Sequence, residues 1–417
     1  MSANEPVTII GAGIVGICCA LSLQERGFKV RLIDPNEPGQ GASMGNAGII
    51  SPWSCIPQSM PGMWKQVPKW LLSKSGPVSI PIAHFPRFIP WGVRFLRSGT
   101  EANVRRISAA MAELVAPNID LYRRYLQGTG HESLLRPSSY VFVSRNPQSS
   151  FPDGLAWELR RAVGAPMRKV SGAELREMEP ALSTDYGSAI VLDDQSRAVS
   201  PGRIGQVLAE KVQQQGGTID RLEVKSIKPD SDGSGWVLTT TDGELACQRL
   251  VLAAGAWSAK LLAGIGVHVP LEAEGGYHTV FKSPGIELNN SISDLDQHIV
   301  SSSMEPGLRT AGTAEFAGLN AQPNYDRAKL LIGQTKAMFP DLNISDVDYW
   351  RGTRPSFPDS LPAIGEIAGF PNLFTAFGHS HYGLGMAPKT GQLIAELVSG
   401  GRPNCDMSAY DAMRFSA

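Results

Sequence analysis

The chain has little charge imbalance, little cysteine and no apolar run long enough to cross a bilayer. Its 417 residues carry 38 Lys and Arg against 39 Asp and Glu, a formal net charge of −1. No broad basic field exists to hold a nucleic-acid backbone, and no acidic excess of the kind that keeps a chain disordered. Nucleic acid is therefore not an expected partner. Cys18, Cys19, Cys55, Cys247 and Cys405 are odd in number and form no C-x-x-C pair. Neither a disulfide framework nor a thiolate zinc site is indicated, which fits a reducing compartment and leaves no metal to expect. No basic region precedes the apolar stretch Val7–Ile10, which is too short for a signal core, so the expected location is the cytoplasm. What is plentiful is glycine and proline, 44 and 30 residues, a composition that favours many turns over a helical bundle. At about 100–200 residues per domain, the length allows two or three domains or one with a large insertion.

The first fifty residues carry the strongest local signal. The β-branched run Val7-Thr-Ile-Ile10 leads into Gly11-Ala-Gly13-Ile-Val-Gly16. A segment of helical composition follows and stops at Gly27, and a second strand, Lys29–Ile33, ends on Asp34. In this strand–turn–helix–strand setting the glycines permit a tight turn and let backbone N–H groups approach a pyrophosphate. Asp34 falls 23 positions after Gly11, close to the roughly 20-residue spacing at which a carboxylate meets a ribose hydroxyl. The expected dinucleotide contacts are Gly11, Ala12, Gly13, Ile14, Val15 and Gly16, with Asp34 and Pro35 at the ribose. This motif does not separate NAD from FAD. The small-residue loop after Asp34 favours a large flat ring: Gly41, Ala42, Ser43, Asn46, Ala47, Gly48 and Ile49 let such a ring rest on backbone. Ser43 and Asn46 can donate to the pyrophosphate or to the ring edge.

Residues 52–91 hold eight prolines and four tryptophans and read as an irregular, apolar stretch. In Phe85–Arg97 aromatic and basic residues mix as in an interfacial membrane segment. Core packing is favoured there, because two prolines break the helix that such anchoring uses. A peripheral contact with the inner face of the cytoplasmic membrane is the alternative. A helix is expected over 101–116, continuing past Pro117 to Tyr125. Ser171-Gly-Ala-Glu174 reads as a capping box, and Ser200-Pro201 as the start of a helix over 202–215. A return to the nucleotide domain follows, with strands at 218–224, 236–241 and 250–255. It contributes Val224, Ala254, Gly255 and Trp257 to the expected cofactor contacts. A last return comes from strand 372–377, a glycine-rich loop over 378–385 and a helix over 387–398. It brings Gly378, His379, Gly383, Leu384 and Gly385, and its helix N-terminus can face an electron-rich ring edge.

Six motifs occur in one order along nearly the whole chain. They are Gly11-x-Gly-x-x-Gly16, Gly41-Ala-Ser-x-x-Asn-Ala-Gly48, Leu252-Ala-Ala-Gly-Ala-Trp-Ser258, Thr310–Gly318, Trp350-Arg-Gly-Thr-Arg-Pro355 with Pro358-Asp359, and Phe377-Gly-His-x-His-x-Gly-Leu-Gly385. Together they resemble the FAD-dependent D-amino-acid dehydrogenases of the D-amino-acid oxidase and glycine oxidase superfamily. The resemblance implies non-covalent FAD, with Gly352 added to its contacts. It implies an α/β fold in which a discontinuous FAD-binding Rossmann-like domain (1–80, 195–265, 350–417) is interleaved with a mostly antiparallel β-sheet substrate domain (81–194, 266–349).

The implied activity is oxidation of the Cα–N bond of a D-amino acid by hydride transfer to the flavin, with electrons passed to a quinone or flavoprotein. A cyclic substrate such as D-proline or hydroxy-D-proline is expected, since no acidic anchor for a cationic side chain is evident. Arg354 occupies the position of the carboxylate-binding arginine. Tyr277 and His278 are expected in the pocket roof, His381 facing substrate, and His379 serving the flavin or its loop. Arg309 and Glu315, flanking a turn at Gly312-Thr313, are expected to support the pocket. Two departures stand out: Gly275 where similar dehydrogenases carry a basic residue, and Arg351 where they carry a small one. An oxidase using O2 on glycine, sarcosine or a D-amino acid, and a non-catalytic FAD-binding subunit of an electron-transfer complex, remain as alternatives.

Overall fold

The glycine-punctuated N-terminus forms the expected parallel unit. In the computed structural model, which describes residues 5–416 except 68–69, 71–72, 74–75 and 147–152, strand Val7–Ile10 is flanked in parallel by Val30–Ile33 and Leu250–Leu252. The six-stranded sheet runs in the order Ala363–Glu366, Leu373–Phe377, Leu250–Leu252, Val7–Ile10, Val30–Ile33, Thr218–Asp220. All neighbours are parallel except the edge strand Ala363–Glu366. Helices Ile14–Glu25 and Gly383–Val398 share one apolar core with the sheet. They cross so closely that a Cβ on Gly391 would stand 2.4 Å from the Cys18 carbonyl oxygen.

A ten-stranded, mostly antiparallel sheet stands beside this unit. Strand Glu272–Phe281 lies within it between Gly307–Phe316 and Val347–Ser356. Tyr277 and His278 therefore sit in mid-strand. No turn forms at Gly312-Thr313, because that glycine lets the neighbouring strand approach: its Cβ would stand 2.5 Å from the His298 carbonyl oxygen.

Other expectations need correction too. The run 218–224 is not one strand. Leu222 N–H turns back to the Asp220 carbonyl at 3.1 Å, and Val224–Pro229 starts a separate three-stranded antiparallel sheet with Trp236–Thr240 and Gly243–Cys247. The helix expected over 387–398 already begins at Gly383, so the last glycines of the loop form its first turn. The helix over 101–125 forms as Glu101–Val115 and Asn118–Leu126, parted at Pro117.

The two prolines of Phe85–Arg97 do not break the helix, which spans Phe85–Ser98. Pro86 lies in the first turn, where its missing N–H costs nothing, and Pro90 sits inside the helix without ending it, at the cost of one hydrogen bond and of crowding the carbonyl one turn back. Trp91 is the buried residue of this helix, its Nε1 donating to the Ser356 carbonyl at 3.0 Å. Core packing holds for one face, where Phe88 and Trp91 meet Phe316, while Phe85, Ile89, Val93 and Leu96 are left exposed.

Candidate active site

One large cavity, about 1080 Å³, runs from the Gly11–Gly16 turn to the underside of the ten-stranded sheet. At the turn, Gly11 has φ +109°, and a Cβ there would stand 2.3 Å from the Ala253 carbonyl oxygen. A Cβ on Gly16 would stand 1.9 Å from the Gly11 carbonyl oxygen. Only glycine allows this approach. Asp34 accepts from Ala12 N–H and from Asn36 N–H, both at 2.9 Å, so the carboxylate ties the turn to the end of the second strand. Ser43 Oγ accepts from Ile14 N–H at 3.0 Å, which leaves its hydroxyl proton free to donate. Asn46 Oδ1 accepts from Gly48 N–H at 2.9 Å. Replacing Asp34 with alanine is expected to weaken FAD binding by about 1.5–3 kcal/mol, the worth of hydrogen bonds to a charged group. Titration of the apoprotein with FAD measures it, and an unchanged Kd overturns the ribose assignment.

Most of the expected cofactor residues line this cavity, from both ends of the chain. Ala12, Gly16, Gly48 and Gly352 do not. Gly16 lies under the Gly11 carbonyl, and Gly48 fits against the Ala198 carbonyl oxygen, 2.5 Å from its would-be Cβ. Ala12 is 1% exposed. Gly352 makes room for Trp350, whose ring would stand 1.9 Å from a Cβ there and 1.8 Å from one on Gly45. Arg309, in the sheet above, clamps the small-residue loop after Asp34 through Nη1, donating to the carbonyls of Met44 at 3.0 Å and Asn46 at 2.7 Å.

The roof is set by strand alternation. Glu274, Gly276 and His278 lie on one face, opposite Arg354, Gly352 and Trp350 of the neighbouring strand. Arg354 lies across Gly276, where a Cβ would stand 2.3 Å from its Cζ, and donates from Nη1 to Glu274 Oε1 at 2.6 Å. His381 Nε2 donates to the same oxygen at 2.6 Å, and Ser356 Oγ donates to Oε2 at 2.8 Å. Burial alone would push the Glu274 carboxyl up, but His381 and Arg354 outweigh it and bring it down to about 2. An acidic group thus lines the pocket, contrary to the expectation of none. The sequence does carry a signal for it, since Glu274 shares a strand period with Gly276 and His278 and lies four residues from the expected roof residue His278.

Tyr277 and His278 do not line the cavity. Tyr277 points to the other face, where its OH donates to Glu315 Oε2 at 2.5 Å and accepts from Asn324 N–H at 2.8 Å. Burial and Glu315 push the phenol up to about 12. His278 lies on the cavity face but is covered: it stacks on Trp350 with centroids 4.8 Å apart and donates from Nδ1 to the Gly45 carbonyl at 3.1 Å. The two sequence departures compensate each other, because the Arg351 guanidinium fills the space beside Gly275, 3.1 Å from its would-be Cβ.

His379 does line the cavity, with Nε2 donating to Thr390 Oγ1 at 3.0 Å. Burial pulls it down to about 3, well below the roughly 6.5 of an unfolded histidine. A group depressed in this way gives full stability above the unfolded value and loses it as pH falls toward the folded one. The stability advantage of the wild type over His379→Gln is expected to shrink by about 2 kcal/mol between pH 6.5 and 5. Urea unfolding at the two pH values checks it, and a constant difference refutes it.

A dinucleotide cradle and the Arg354–Glu274–His381 cluster line one cavity, the arrangement of an oxidoreductase that holds a small molecule beside its cofactor. The sequence pattern of the FAD dependent oxidoreductase family matches residues 6–397. The chain belongs to that family, and FAD is its cofactor. It is 37% identical over its full length to the full length of D-amino-acid oxidase of Bradyrhizobium diazoefficiens. It is 30% identical, over 99% of each chain, to D-amino acid dehydrogenase of Paramagnetospirillum magneticum. Among solved structures it shares its fold with L-proline dehydrogenase from P. horikoshii (TM-score 0.76, 20% identity, 100% of this chain and 99% of that one). It does so as well with glycine oxidase from Geobacillus kaustophilus (TM-score 0.74, 22% identity, 99% of each).

Proposed function

We propose that the chain oxidises the Cα–N bond of a D-amino acid to an imino acid, which water hydrolyses to a 2-oxo acid and ammonia. The carrying observation is that Arg354, anchored by Glu274 and His381, lines the same cavity as the flavin cradle. FAD, when bound, supplies the acceptor for the hydride that leaves Cα. The protein's task is positioning. Arg354 holds the substrate carboxylate, Glu274 and Gly276 fix the guanidinium, and Trp350 and His278 brace the roof over the flavin loop. The names of the relatives support the D configuration. The test is the visible spectrum of the purified holoenzyme under anaerobic conditions, with D- and L-amino acids that include D-proline, hydroxy-D-proline and D-glutamate. Bleaching by D-isomers alone supports the reading, and bleaching by none of them overturns it.

A specific surface supports electron delivery at a membrane. From residue 38 to 100 the chain has six Lys and Arg and no Asp or Glu. In this stretch Ile82 is 92% exposed, and Phe85, Ile89, Val93 and Leu96 are between 42% and 48% exposed. The last four recur every three or four residues on one helix face, and Arg87, Arg94 and Arg97 belong to the same helix. This is the pattern of a helix lying in an anionic lipid interface. No helix among the described residues is long and apolar enough to cross a membrane. Ile89, Val93 and Leu96 also border the cavity, which gives a membrane quinone a route inward. Co-sedimentation with phosphatidylglycerol vesicles is expected, weakened by salt and by Ile89→Asp, with no binding to phosphatidylcholine. Absence from both vesicle pellets refutes the lipid contact.

A further inference from the structure

Arg354 is paired with Glu274 at the roof, and among the described residues a second guanidinium lines the same cavity with no carboxylate paired to it. Arg160 comes from helix Leu155–Ala162 and lines the cavity beside Tyr140 and Tyr382. Its Cζ lies 4.7 Å from the centre of the Trp157 ring and 5.3 Å from that of Phe142. Those two rings meet edge to face at 5.2 Å. Trp157 is one turn back on the same helix, and Phe142 is on strand Leu135–Val143, so two elements fix the guanidinium while adding no negative charge.

Among the described residues, Arg160 Nε is buried with no hydrogen-bond partner. The groups whose charge bears on it are Cys55, Tyr140 and Tyr382. Burial pushes all three up, so each is neutral at physiological pH. Burial also draws Arg160 itself down, yet a guanidinium stays protonated in a protein. A rigid, uncompensated cation in a cavity of low polarity is costly until an anion reaches it.

Its place relative to Arg354 decides which anion. Tyr382 lines the cavity with Arg160, and its ring lies 6.5 Å from that of His381, which holds Glu274 beside Arg354. The Tyr382 hydroxyl is committed to the Ile56 carbonyl at 2.6 Å. One cavity therefore presents two guanidinium groups, Arg354 and Arg160, with His381 and Tyr382 on its wall beside them, an arrangement that suits a small molecule with two carboxylates. We propose that Arg160 is a second carboxylate-binding residue, which selects a D-amino acid carrying an acidic group on its side chain. This rests on the amino-acid reading above for the role of Arg354. It replaces the cyclic substrate expected from the sequence.

The test compares glutarate with pentanoate, ligands of equal chain length that differ in one carboxylate, by calorimetric titration of the holoenzyme. Glutarate is expected to bind at least about tenfold tighter, the worth of one charge-assisted contact. In Arg160→Met the two Kd values should come within about twofold, with pentanoate unchanged, while Arg160→Lys keeps part of the preference. Equal binding by the wild type overturns the proposal, even if Arg160→Met does not fold. So does a glutarate preference that survives in Arg160→Met. Calorimetry needs no turnover, so failure of the amino-acid reading shows separately, as a flavin that no D-amino acid bleaches.

Discussion

Arg354→Met is expected to lower kcat/KM for the substrate amino acid by roughly 30- to 4000-fold, the equivalent of losing one partner of a desolvated charge pair, about 2–5 kcal/mol. Flavin content should stay at the wild-type level, because Arg354 touches the roof and not the glycine turn. Glu274 would keep His381 and Ser356 as donors, so the carboxylate is not orphaned and the variant should fold. Lysine is not an adequate substitute, since a point charge cannot make the planar, two-pronged contact with a carboxylate. Gly276→Ala offers an independent check on the same geometry. A methyl group there would stand 2.3 Å from Arg354 Cζ, so it displaces the guanidinium without removing it, and a smaller loss in the same direction is expected. Anaerobic stopped-flow reduction of the flavin measures both variants. An Arg354→Met enzyme within threefold of the wild type, with a large loss in Arg160→Met, would transfer the α-carboxylate to Arg160.

Gly16→Val is expected to abolish flavin binding. Its Cβ would fall 1.9 Å from the Gly11 carbonyl oxygen and 3.5 Å from Ile9 Cγ2, so the turn itself must open. Gly11 cannot yield, because its own would-be Cβ side faces the Ala253 carbonyl at 2.3 Å. Overpacking a closed site costs about 1–3 kcal/mol, and the opened turn also loses the N–H groups aimed at the pyrophosphate. The purified variant should be colourless, retain less than a tenth of the wild-type flavin-to-protein ratio by roughly the same reckoning, and melt earlier. A yellow variant with normal flavin content would overturn the role given to this turn.

The cofactor half of the protein was legible in the sequence because its chemistry is local. A tight turn that brings N–H groups to a pyrophosphate needs glycine at Gly11, Gly13 and Gly16, and the acid at the end of the next strand follows within one βαβ unit. Where the reading failed, the deciding contact came from far along the chain. Tyr277 and His278 are adjacent, and one register position decides that Tyr277 turns to Glu315 while His278 is covered by Trp350. Gly275 and Arg351 looked like separate departures, and only pairing of their strands shows one side chain filling the space beside the other. Helix Phe85–Ser98 was misjudged for a different reason. Two prolines are incompatible with a helix interior as a rule, but one of them occupies the first turn.

By itself the sequence determined the cofactor class and the parallel glycine-turn unit that holds it, and it singled out Arg354, which lines the cavity. Tertiary structure decided how the substrate end is wired. It placed Glu274 against Arg354 and His381 across a sequence separation of 80 and 107 residues, and it left Arg160 facing the same cavity from an unrelated helix. The physical reason is that a phosphate cradle is made of backbone, whose geometry nearby glycines dictate. A charged pocket is made of side chains whose energies depend on which distant charges and apolar surfaces the fold brings within a few ångströms.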